Sequence, residues 1–266
     1  MKRVRVVVHG AAGRMGQMVV NALCHEADMQ IVGAVDIKAA EDYLPSPDGS
    51  GTVPFSSNLE QILTTCQPEV LVDFTAANAV MPAVRTTAKH GVNLVIGTTG
   101  LTADDIKEID RLAQAHQVGA VVAPNFALGA VLMIHLAKIA GKYLDYAEII
   151  ELHHDRKLDA PSGTALSTAR AMAQAKSKPF SIPQGKASDS RGEQVEGITI
   201  HSVRLPGLLA HQEIILGGEG QTLKIRHDQI SREAFMPGVM LAIREVVKHK
   251  GLIYGLDTLL GLEKEQ

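Results

Sequence analysis

The sequence predicts a mixed α/β fold in which a parallel-sheet domain is followed by an α+β domain with an open mixed sheet. Over residues 1–126, short β-branched runs alternate with helical patterns, as in parallel sheets covered by helices on both faces. After residue 127 this alternation stops, and several extended runs follow one Ala/Leu-rich helix. Hydrophobic residues make up 45% of the 266 residues and aromatic residues only 3%, so aliphatic side chains must fill the core.

The first domain is predicted to alternate strands and helices from its first residues. Its strands are the runs VRVVVH, MQIVGAVD, EVLVDFT, VNLVIGTTG and VGAVVAPNF. Helices are predicted between them, where apolar residues recur every three or four positions; Gly91 is expected to close one helix, and Thr102 with Asp105 to cap the next. Residues 40–58 are rich in Pro, Gly, Ser and Asp, and are expected to form a long loop.

The second domain is predicted to begin with a helix over residues 127–144 and to continue as an antiparallel or mixed sheet. Its extended runs are AEIIELHH, GITIHSVRLPG and HQEIILGGEGQTLKIRHDQ, and GGEGQ in the last run marks a hairpin turn. Residues 176–197 are polar and are expected to form a mobile loop. Pro237 should kink or restart the last helix. We expect this domain to span residues 127–235 and residues 236–266 to return to the first domain.

Composition and charge argue against several classes of function. The formal net charge is −3 and no basic tract with interleaved aromatic residues occurs, so no nucleic-acid partner is expected. Cys24 and Cys66 lack CxxC or Cys/His spacing and are expected to be small buried residues in a reducing compartment. No apolar stretch reaches roughly 18 residues, and the N-terminal apolar run is too short for a signal-peptide core. We therefore expect a soluble, cytoplasmic protein without a membrane partner.

A glycine-rich turn follows the first strand, and its context predicts a dinucleotide site. HGAAGRMG places Gly10, Gly13 and Gly16 between a strand and a helix, which approximates the G-x-G-x-x-G pattern of Rossmann-like domains. Free N–H groups at the helix N-terminus would bind a pyrophosphate. Asp36 would accept hydrogen bonds from the adenosine ribose and favours NADH, whereas Lys38 could pair with a 2′-phosphate and allow some use of NADPH. The alternative is a tight turn that merely needs glycines.

Two later strands of the first domain end in polar or small residues. GTT at residues 97–99 and APNF at residues 123–126 would lie at the carboxyl edge of the parallel sheet, where ligands bind in open α/β folds. Both segments are therefore candidates for contact with a nicotinamide. The alternative is that they are plain strand-to-helix loops.

The run ELHHDRKLDAPSGTAL, which begins at the end of a predicted strand, gathers groups suited to proton transfer. Adjacent strand residues point to opposite faces, so His153 and His154 cannot readily chelate one metal ion, and the amine of Lys157 would repel a cation. No metal is expected. A histidine is the usual general acid near neutral pH, and Lys157 is a second candidate. The pattern does not decide which histidine donates the proton.

The same run ends in a helix start suited to anion binding. Ser162 is a natural N-cap, and Gly163 and Thr164 would form the first helical turn. Unpaired N–H groups there, the Thr164 hydroxyl and the charge of Lys157 would hold a carboxylate or a phosphate. Simple capping would also explain Ser162. Together with the dinucleotide site, these groups indicate a nicotinamide-dependent reductase of a small anionic, unsaturated substrate.

Several motifs also resemble one known family. HGAAGRMG, VDFT, GTTG, APNFALG and ELHHDRKLDAPSGTAL are similar to the dihydrodipicolinate reductase (4-hydroxy-tetrahydrodipicolinate reductase) family of lysine and diaminopimelate biosynthesis, and the resemblance runs nearly end to end. It implies reduction of a small dianionic substrate with NADH or NADPH, closure of two domains over the ligands, and a homotetramer joined through the open sheets. Ile37 stands where an arginine often follows the acidic residue, which argues against a strong NADPH preference.

The resemblance further implies residue roles. His153 would be the proton donor and Lys157 a second proton donor. The substrate would be bound by His154, Ser162, Gly163 and Thr164. The cofactor would be lined by Gly10, Ala11, Ala12, Gly13, Arg14, Met15, Asp36, Lys38, Phe74, Gly97, Thr98, Thr99, Ala123, Pro124, Asn125 and Phe126.

Two other functions stay open on the sequence alone. The chain could be another Rossmann-like dehydrogenase, although a phosphorylating semialdehyde dehydrogenase would need a cysteine nucleophile, and both cysteines fall in predicted helices of the first domain. It could also be an NAD-sensing protein, which would bind NADH without turnover and would not need His153 and Lys157.

Overall fold

The structure is a computed structural model that describes residues 2–183 and 189–262 of the chain. The chain divides into two compact units: unit 1 comprises residues 2–127 with 235–262, and unit 2 comprises residues 128–234. The predicted fold class, a parallel-sheet part followed by a part with an open mixed sheet, is confirmed. No helix in the described residues is long and apolar enough to cross a membrane.

The described residues form thirteen strands and eight α-helices. In chain order, the strands are β1 (Val4–His9), β2 (Met29–Val35), β3 (Tyr43–Pro45), β4 (Thr52–Ser56), β5 (Val70–Asp73), β6 (Asn93–Ile96), β7 (Gly119–Val122), β8 (Tyr146–His153), β9 (Glu193–Val195), β10 (Ile198–Arg204), β11 (Ala210–Gly218), β12 (Gln221–Gln229) and β13 (Gly251–Tyr254). The helices are α1 (Arg14–Cys24), α2 (Leu59–Cys66), α3 (Ala77–Lys89), α4 (Ala103–Ala115), α5 (Leu128–Gly141), α6 (Gly163–Ala175), α7 (Met236–Val246) and α8 (Leu256–Leu259).

Unit 1 contains an eight-stranded sheet in the order β13-β7-β6-β5-β1-β2-β4-β3. Only β3 runs antiparallel to its neighbour; the other pairs are parallel. The strand order reverses at β1, so the carboxyl ends of β1 and β5 flank the crevice where open parallel sheets bind ligands. The central strands are buried almost throughout, which explains their nearly continuous apolar sequences.

Local sequence signals account for several helix boundaries in unit 1. Thr102 and Asp105 form the predicted capping box at the start of α4. Gly91 follows the end of α3 with a φ of +70°, as expected for a glycine that closes a helix. The helix at the C-terminal end restarts as predicted: a short 3₁₀ turn over Arg232–Phe235 precedes α7, and Pro237 lies in its first turn, where a missing N–H costs least.

Unit 2 contains a five-stranded mixed sheet in the order β12-β11-β8-β10-β9. β8 is parallel to β10 and antiparallel to β11. Alternate residues of β8 form a buried row, Ala147, Ile149 and Glu151, whose apolar members share a core with residues of α5 and α6. Tyr146, outside this row, and Leu223 on β12 remain exposed.

Two segments that were expected to be loops contain strands. The expectation for residues 40–58 is wrong, because β3 and β4 form there and pair with each other. Pro54 is tolerated in β4 because this strand lies near the edge of the sheet. In residues 176–197, β9 pairs with β10, and residues 184–188 lie outside the described part. These strands are three to five residues long and show too few periods to be recognised from sequence.

Candidate active-site residues in the two units

The residues proposed for the cofactor all lie in unit 1, in segments that follow the carboxyl ends of parallel strands. β1 is followed by residues 10–15, β2 by Asp36 and Lys38, β5 by Phe74, β6 by residues 97–99 and β7 by residues 123–126. The parallel arrangement therefore brings these separate sequence segments to one edge of the sheet.

Glycines at this edge allow backbone segments to approach closely. Gly10 has a φ of +83°, and a Cβ there would lie 2.6 Å from the Phe74 carbonyl oxygen. A Cβ at Gly16 would lie 2.0 Å from the Gly10 carbonyl oxygen, and one at Gly97 would lie 2.1 Å from the Phe74 ring. The Phe74 ring also packs against Phe126 with the ring centroids 5.9 Å apart. Side chains larger than hydrogen are thus excluded at these three positions.

The first turn of α1 offers unpaired backbone donors. Residues 13–16, here named the α1 turn, have no side-chain cap and no acidic residue. The N–H groups of residues 10–13 all donate to acceptors within unit 1. Those of Arg14, Met15 and Gly16 have no acceptor among the described residues. Free N–H groups at a helix N-terminus match the needs of a phosphate group, so this turn fits the pyrophosphate of a dinucleotide.

Asp36 is buried and organises the adjoining backbone. Its carboxylate accepts hydrogen bonds from the N–H of Ala12 at 3.0 Å and from the N–H of Lys38 at 2.9 Å. An ionised carboxylate has about four lone-pair sites, so further donors such as ribose hydroxyls can still bind. The Lys38 side chain is exposed and makes no ion pair within the described residues, which leaves its ammonium available to a phosphate.

Sequence reasoning missed a buried polar cluster beside this edge. The Asp73 carboxylate lies 2.7 Å from Nδ1 of His9 and accepts the Thr98 hydroxyl at 2.5 Å. It also accepts from the hydroxyl and the N–H of Thr75, at 2.9 and 3.2 Å. The cluster joins the ends of β1, β5 and β6. One sequence feature could have revealed this cluster: Asp73 ends a strand that is otherwise apolar, and a buried charge requires partners.

In unit 2, the end of β8 brings His153 against a buried carboxylate. His153 is the last residue of β8 and lies two positions after Glu151, so both side chains are on the same face of the strand. Nδ1 of His153 is 2.5 Å from the Glu151 carboxylate. His154 follows the strand, and its side chain makes no hydrogen bond within the described residues.

Glu151 is fully buried and has several hydrogen-bond donors around it. Arg204, at the end of β10, donates to the two carboxylate oxygens at 2.7 and 3.0 Å, and the N–H of Ser162 donates at 3.3 Å. Burial raises the pKa of Glu151, but the hydrogen bonds from His153 and Arg204 outweigh it and lower the pKa to about 2. Glu151 is therefore an anion at neutral pH. Neither Glu151 nor Arg204 was a predicted site residue.

The first turn of α6, residues 162–165, is here named the α6 turn, and it is open. The Ser162 hydroxyl caps it by accepting the N–H of Ala165 at 3.2 Å. The N–H groups of Gly163 and Thr164 and the Thr164 hydroxyl have no partner in the described part of the chain. A Cβ at Gly163 would meet nothing within 4 Å. Three unpaired donors beside open space can receive a carboxylate.

Lys157 lies in the loop between β8 and α6. Its ammonium is 2.8 Å from the Asp159 carboxylate, and this hydrogen bond lowers the pKa of Asp159. The backbone N–H of Lys157 donates to the His154 carbonyl oxygen at 3.2 Å, but its side chain is not paired with either histidine. Across residues 2–183 and 189–262, no group of three His, Cys, Asp or Glu side chains could hold a metal ion.

Comparison with known proteins gives matches along nearly the whole chain. The family model described as "Dihydrodipicolinate reductase, N-terminus" matches residues 4–126, and the one described as "Dihydrodipicolinate reductase, C-terminus" matches residues 129–260. The 4-hydroxy-tetrahydrodipicolinate reductase of Dehalococcoides mccartyi is 56% identical, covering 98% of this chain and 100% of the relative. That of Moorella thermoacetica is 49% identical, covering 97% and 98%.

A solved structure agrees with these sequence matches. The dipicolinate-bound dihydrodipicolinate reductase of Paenisporosarcina sp. TG-14 superimposes with a TM-score of 0.86 at 42% identity, covering 96% of this chain and 99% of that chain. The residue motifs, both family models, the relatives and this fold all give the same assignment. The chain belongs to the dihydrodipicolinate reductase family.

Proposed function

We propose that this chain reduces 4-hydroxy-tetrahydrodipicolinate to tetrahydrodipicolinate with NADH or NADPH. In the balanced reaction, one hydride and one proton are added and the substrate hydroxyl leaves as water. The observation that carries the proposal is the junction at Glu151, whose carboxylate hydrogen-bonds both the His153 imidazole and the start of the open α6 turn. Glu151 thereby holds both the proposed proton donor and the proposed carboxylate-binding turn. The chain's membership of the dihydrodipicolinate reductase family supports the same reaction.

The substrate is proposed to bind through its two carboxylates. The relative from Paenisporosarcina holds dipicolinate, a small planar dicarboxylate. In this chain, one carboxylate would accept the N–H groups of Gly163 and Thr164 together with the Thr164 hydroxyl, which have no other partner among the described residues. The side chain of His154 would hold the second carboxylate. Ser162 caps the turn, because its hydroxyl oxygen accepts the Ala165 N–H, and its O–H, which donates to no acceptor among the described residues, can still donate to the same carboxylate.

His153 is proposed as the proton donor and Lys157 as a second one. Nδ1 of His153 donates to Glu151, so the other ring nitrogen, Nε2, is left to exchange a proton with the substrate. The ammonium of Lys157 hydrogen-bonds Asp159 in the loop between β8 and α6. Its positive charge would attract a dianionic ligand.

Residues 1–126, joined by residues 236–266, are proposed as the dinucleotide-binding domain, and residues 127–235 as the substrate-binding and oligomerisation domain. The Arg14 and Met15 N–H groups would hold the pyrophosphate, and Asp36 the adenosine ribose. Residues 97–99 and 123–126, with Phe74, would line the nicotinamide. When bound, the nicotinamide supplies the hydride.

A homotetramer joined through the unit 2 sheets is part of the same proposal. Tyr146 on β8 is 46% exposed and Leu223 on β12 is 42% exposed, so the open sheet carries apolar side chains that association would cover. Light scattering with size-exclusion chromatography should give the mass of four chains. A monomer at micromolar concentration would contradict this part.

The activity is tested by a coupled assay that generates the substrate from aspartate semialdehyde and pyruvate with a dihydrodipicolinate synthase. We expect NADH or NADPH oxidation that requires both enzymes; no oxidation with either cofactor would refute the function. His153→Ala and Lys157→Ala should each lower kcat by about 100-fold or more while NADH binding survives. Lys107→Ala is the matched control, because Lys107 also pairs with an aspartate, Asp104, but lies in unit 1 on α4.

A further inference from the structure

We infer that Glu151, held in place by Arg204, is a positioning residue that fixes both the tautomer of His153 and the α6 turn. The inference rests on the proposed function, because it takes His153 as the proton donor. It concerns two residues that would not touch the substrate, the cofactor or the reacting atoms themselves.

The tautomer follows from the charge of Glu151. An ionised carboxylate can only accept hydrogen bonds, and the pKa of Glu151 is about 2. Nδ1 of His153, 2.5 Å away, must therefore carry a hydrogen. His153 can therefore give up a proton only as the imidazolium, from Nε2, and the neutral ring left after the transfer keeps its hydrogen on Nδ1 against Glu151. Without the carboxylate, the imidazolium would lose its charge partner, and the neutral ring left after the transfer could hold its hydrogen on Nε2, where it would block uptake of the next proton.

Arg204 is occupied by the protein itself. Nη1 donates to Glu151 and to the Val203 carbonyl oxygen, and Nη2 donates to Glu151 and to the Asp159 carbonyl oxygen. Nε is buried and has no partner within the described residues. All four terminal N–H groups are thus used, which separates Arg204 from an arginine that binds a ligand carboxylate. Its function is to balance the buried charge of Glu151 and to fix the orientation of that carboxylate.

The same ion pair also reaches the α6 turn and the loop that holds Lys157. Glu151 accepts the N–H of Ser162, the N-cap of α6, at 3.3 Å. Arg204 holds the backbone of Asp159, whose side chain pairs with Lys157. Moving the Glu151 carboxylate would therefore disturb the imidazole, the carboxylate-binding turn and the lysine together.

The chain contains a matched control on the same strand. Glu148 also pairs with a histidine and an arginine, His201 at 2.8 Å and Arg191, but it lies outside the buried row of β8. Glu148→Gln removes the same charge from the same kind of trio without touching His153. We expect it to change kcat by less than about threefold.

Glu151→Gln is the main test. The amide side chain keeps the size of the carboxylate but can place an N–H against the imidazole and reverse its tautomer. We expect kcat to fall by at least about 100-fold, as for other histidines that lose the carboxylate setting their tautomer. The dissociation constant for NADH, measured by fluorescence titration, should stay within about twofold, because that site lies in unit 1. A kcat within about threefold of the wild type would overturn the inference.

A double-mutant cycle separates positioning from simple structural support. In a His153→Ala background, Glu151→Gln should lower kcat far less than in the wild type, since its effect on the tautomer is exerted through His153; the loss that remains is exerted through the α6 turn and Lys157. Independent, multiplicative losses would overturn the proposed link. If His153→Ala itself keeps full turnover, the proposed function of His153 fails instead, so the two failures are distinguishable.

A second variant addresses folding. Glu151→Gln leaves the partly buried Arg204 guanidinium without its anionic partner and could unfold unit 2. Glu151→Gln/Arg204→Met removes both charges and should restore the thermal midpoint without restoring kcat. Recovery of kcat along with stability would show that the pair serves stability alone and would contradict the inference.

Discussion

The α1 turn and the α6 turn both leave N–H groups without acceptors among the described residues, yet they are supported in opposite ways. In the α1 turn the supporting contacts are backbone against backbone, and a Cβ at Gly16 would lie 2.0 Å from the Gly10 carbonyl oxygen. In the α6 turn, a Cβ at Gly163 would meet nothing, and side chains provide the support: Ser162 caps the helix and Glu151 holds the Ser162 N–H.

The difference shows how each turn can be damaged. The α1 turn depends on missing side chains, so any added atom displaces the backbone. The α6 turn depends on hydrogen bonds from polar side chains, so it is sensitive to the removal of an atom or a charge and tolerates an added methyl group.

Gly16→Ala should have the largest effect. The new methyl group would overlap the Gly10 carbonyl oxygen, so α1 or the preceding loop must move. Overpacking costs about 1–3 kcal/mol, and we expect the affinity for NADH to fall by about 100-fold in calorimetric titrations. Gly163→Ala, which adds the same methyl group to the α6 turn, is the control and should bind NADH normally. Equal losses of NADH affinity in both variants would contradict the proposed difference between the α1 turn and the α6 turn.

Lowering the pH should destabilise unit 2 at the α6 turn, because Glu151 becomes protonated. Its pKa is lowered from 4.5 to about 2 in the folded state, so its stabilising effect is full above pH 4.5 and is lost as the pH falls toward 2. Between pH 5 and pH 3, the difference in unfolding free energy between the wild type and Glu151→Gln should narrow by about 2 kcal/mol. Urea unfolding followed by circular dichroism measures this difference. A gap that stays constant over that range would show that Glu151 is not an anchored anion.

Much of the fold could be predicted because its signals are local. The alternation of strands and helices in residues 1–126 and the N-cap at Thr102 can each be recognised in a short window of sequence. The strand β13 was not predicted, because its four residues become a strand only by pairing with β7. The pairing of β3 with β4 was missed for the same reason.

In the candidate site, too, the residues with local sequence signals could be predicted and those that meet through strand pairing could not. His153, Lys157 and the α6 turn could be predicted because their residue types stand together in one segment. The Glu151–Arg204 pair could not, since these residues are 53 positions apart and meet only through the parallel pairing of β8 with β10. One signal was available: Glu151 continues the buried row of Ala147 and Ile149, and a charge in an apolar row needs a buried partner.

Ser162→Ala should have an intermediate effect that is confined to the α6 turn. Loss of an N-cap typically costs about 1 kcal/mol, because the Ala165 N–H loses its acceptor. We expect a fall of this size in the stability of unit 2 and a severalfold rise in KM for the substrate, with KM for NADH unchanged. Ser162→Asp, which keeps a capping oxygen, should recover the stability. If KM for the substrate stays at the wild-type value, the Ser162 cap does not contribute to substrate binding.

Lys38→Ala should have the smallest effect, and it concerns the choice of cofactor at the edge that also holds the α1 turn. The Lys38 ammonium is exposed and makes no ion pair in the described residues, whereas its backbone N–H helps to hold Asp36. Because a surface charge contributes less than about 1 kcal/mol, we expect NADPH affinity to fall by about threefold and NADH affinity to stay unchanged. The effect should shrink at high salt, since an exposed ion pair is screened. Lys107→Ala, at another exposed lysine of unit 1, should alter neither affinity, and an equal loss of both cofactors in Lys38→Ala would mean that the substitution disturbs Asp36 instead.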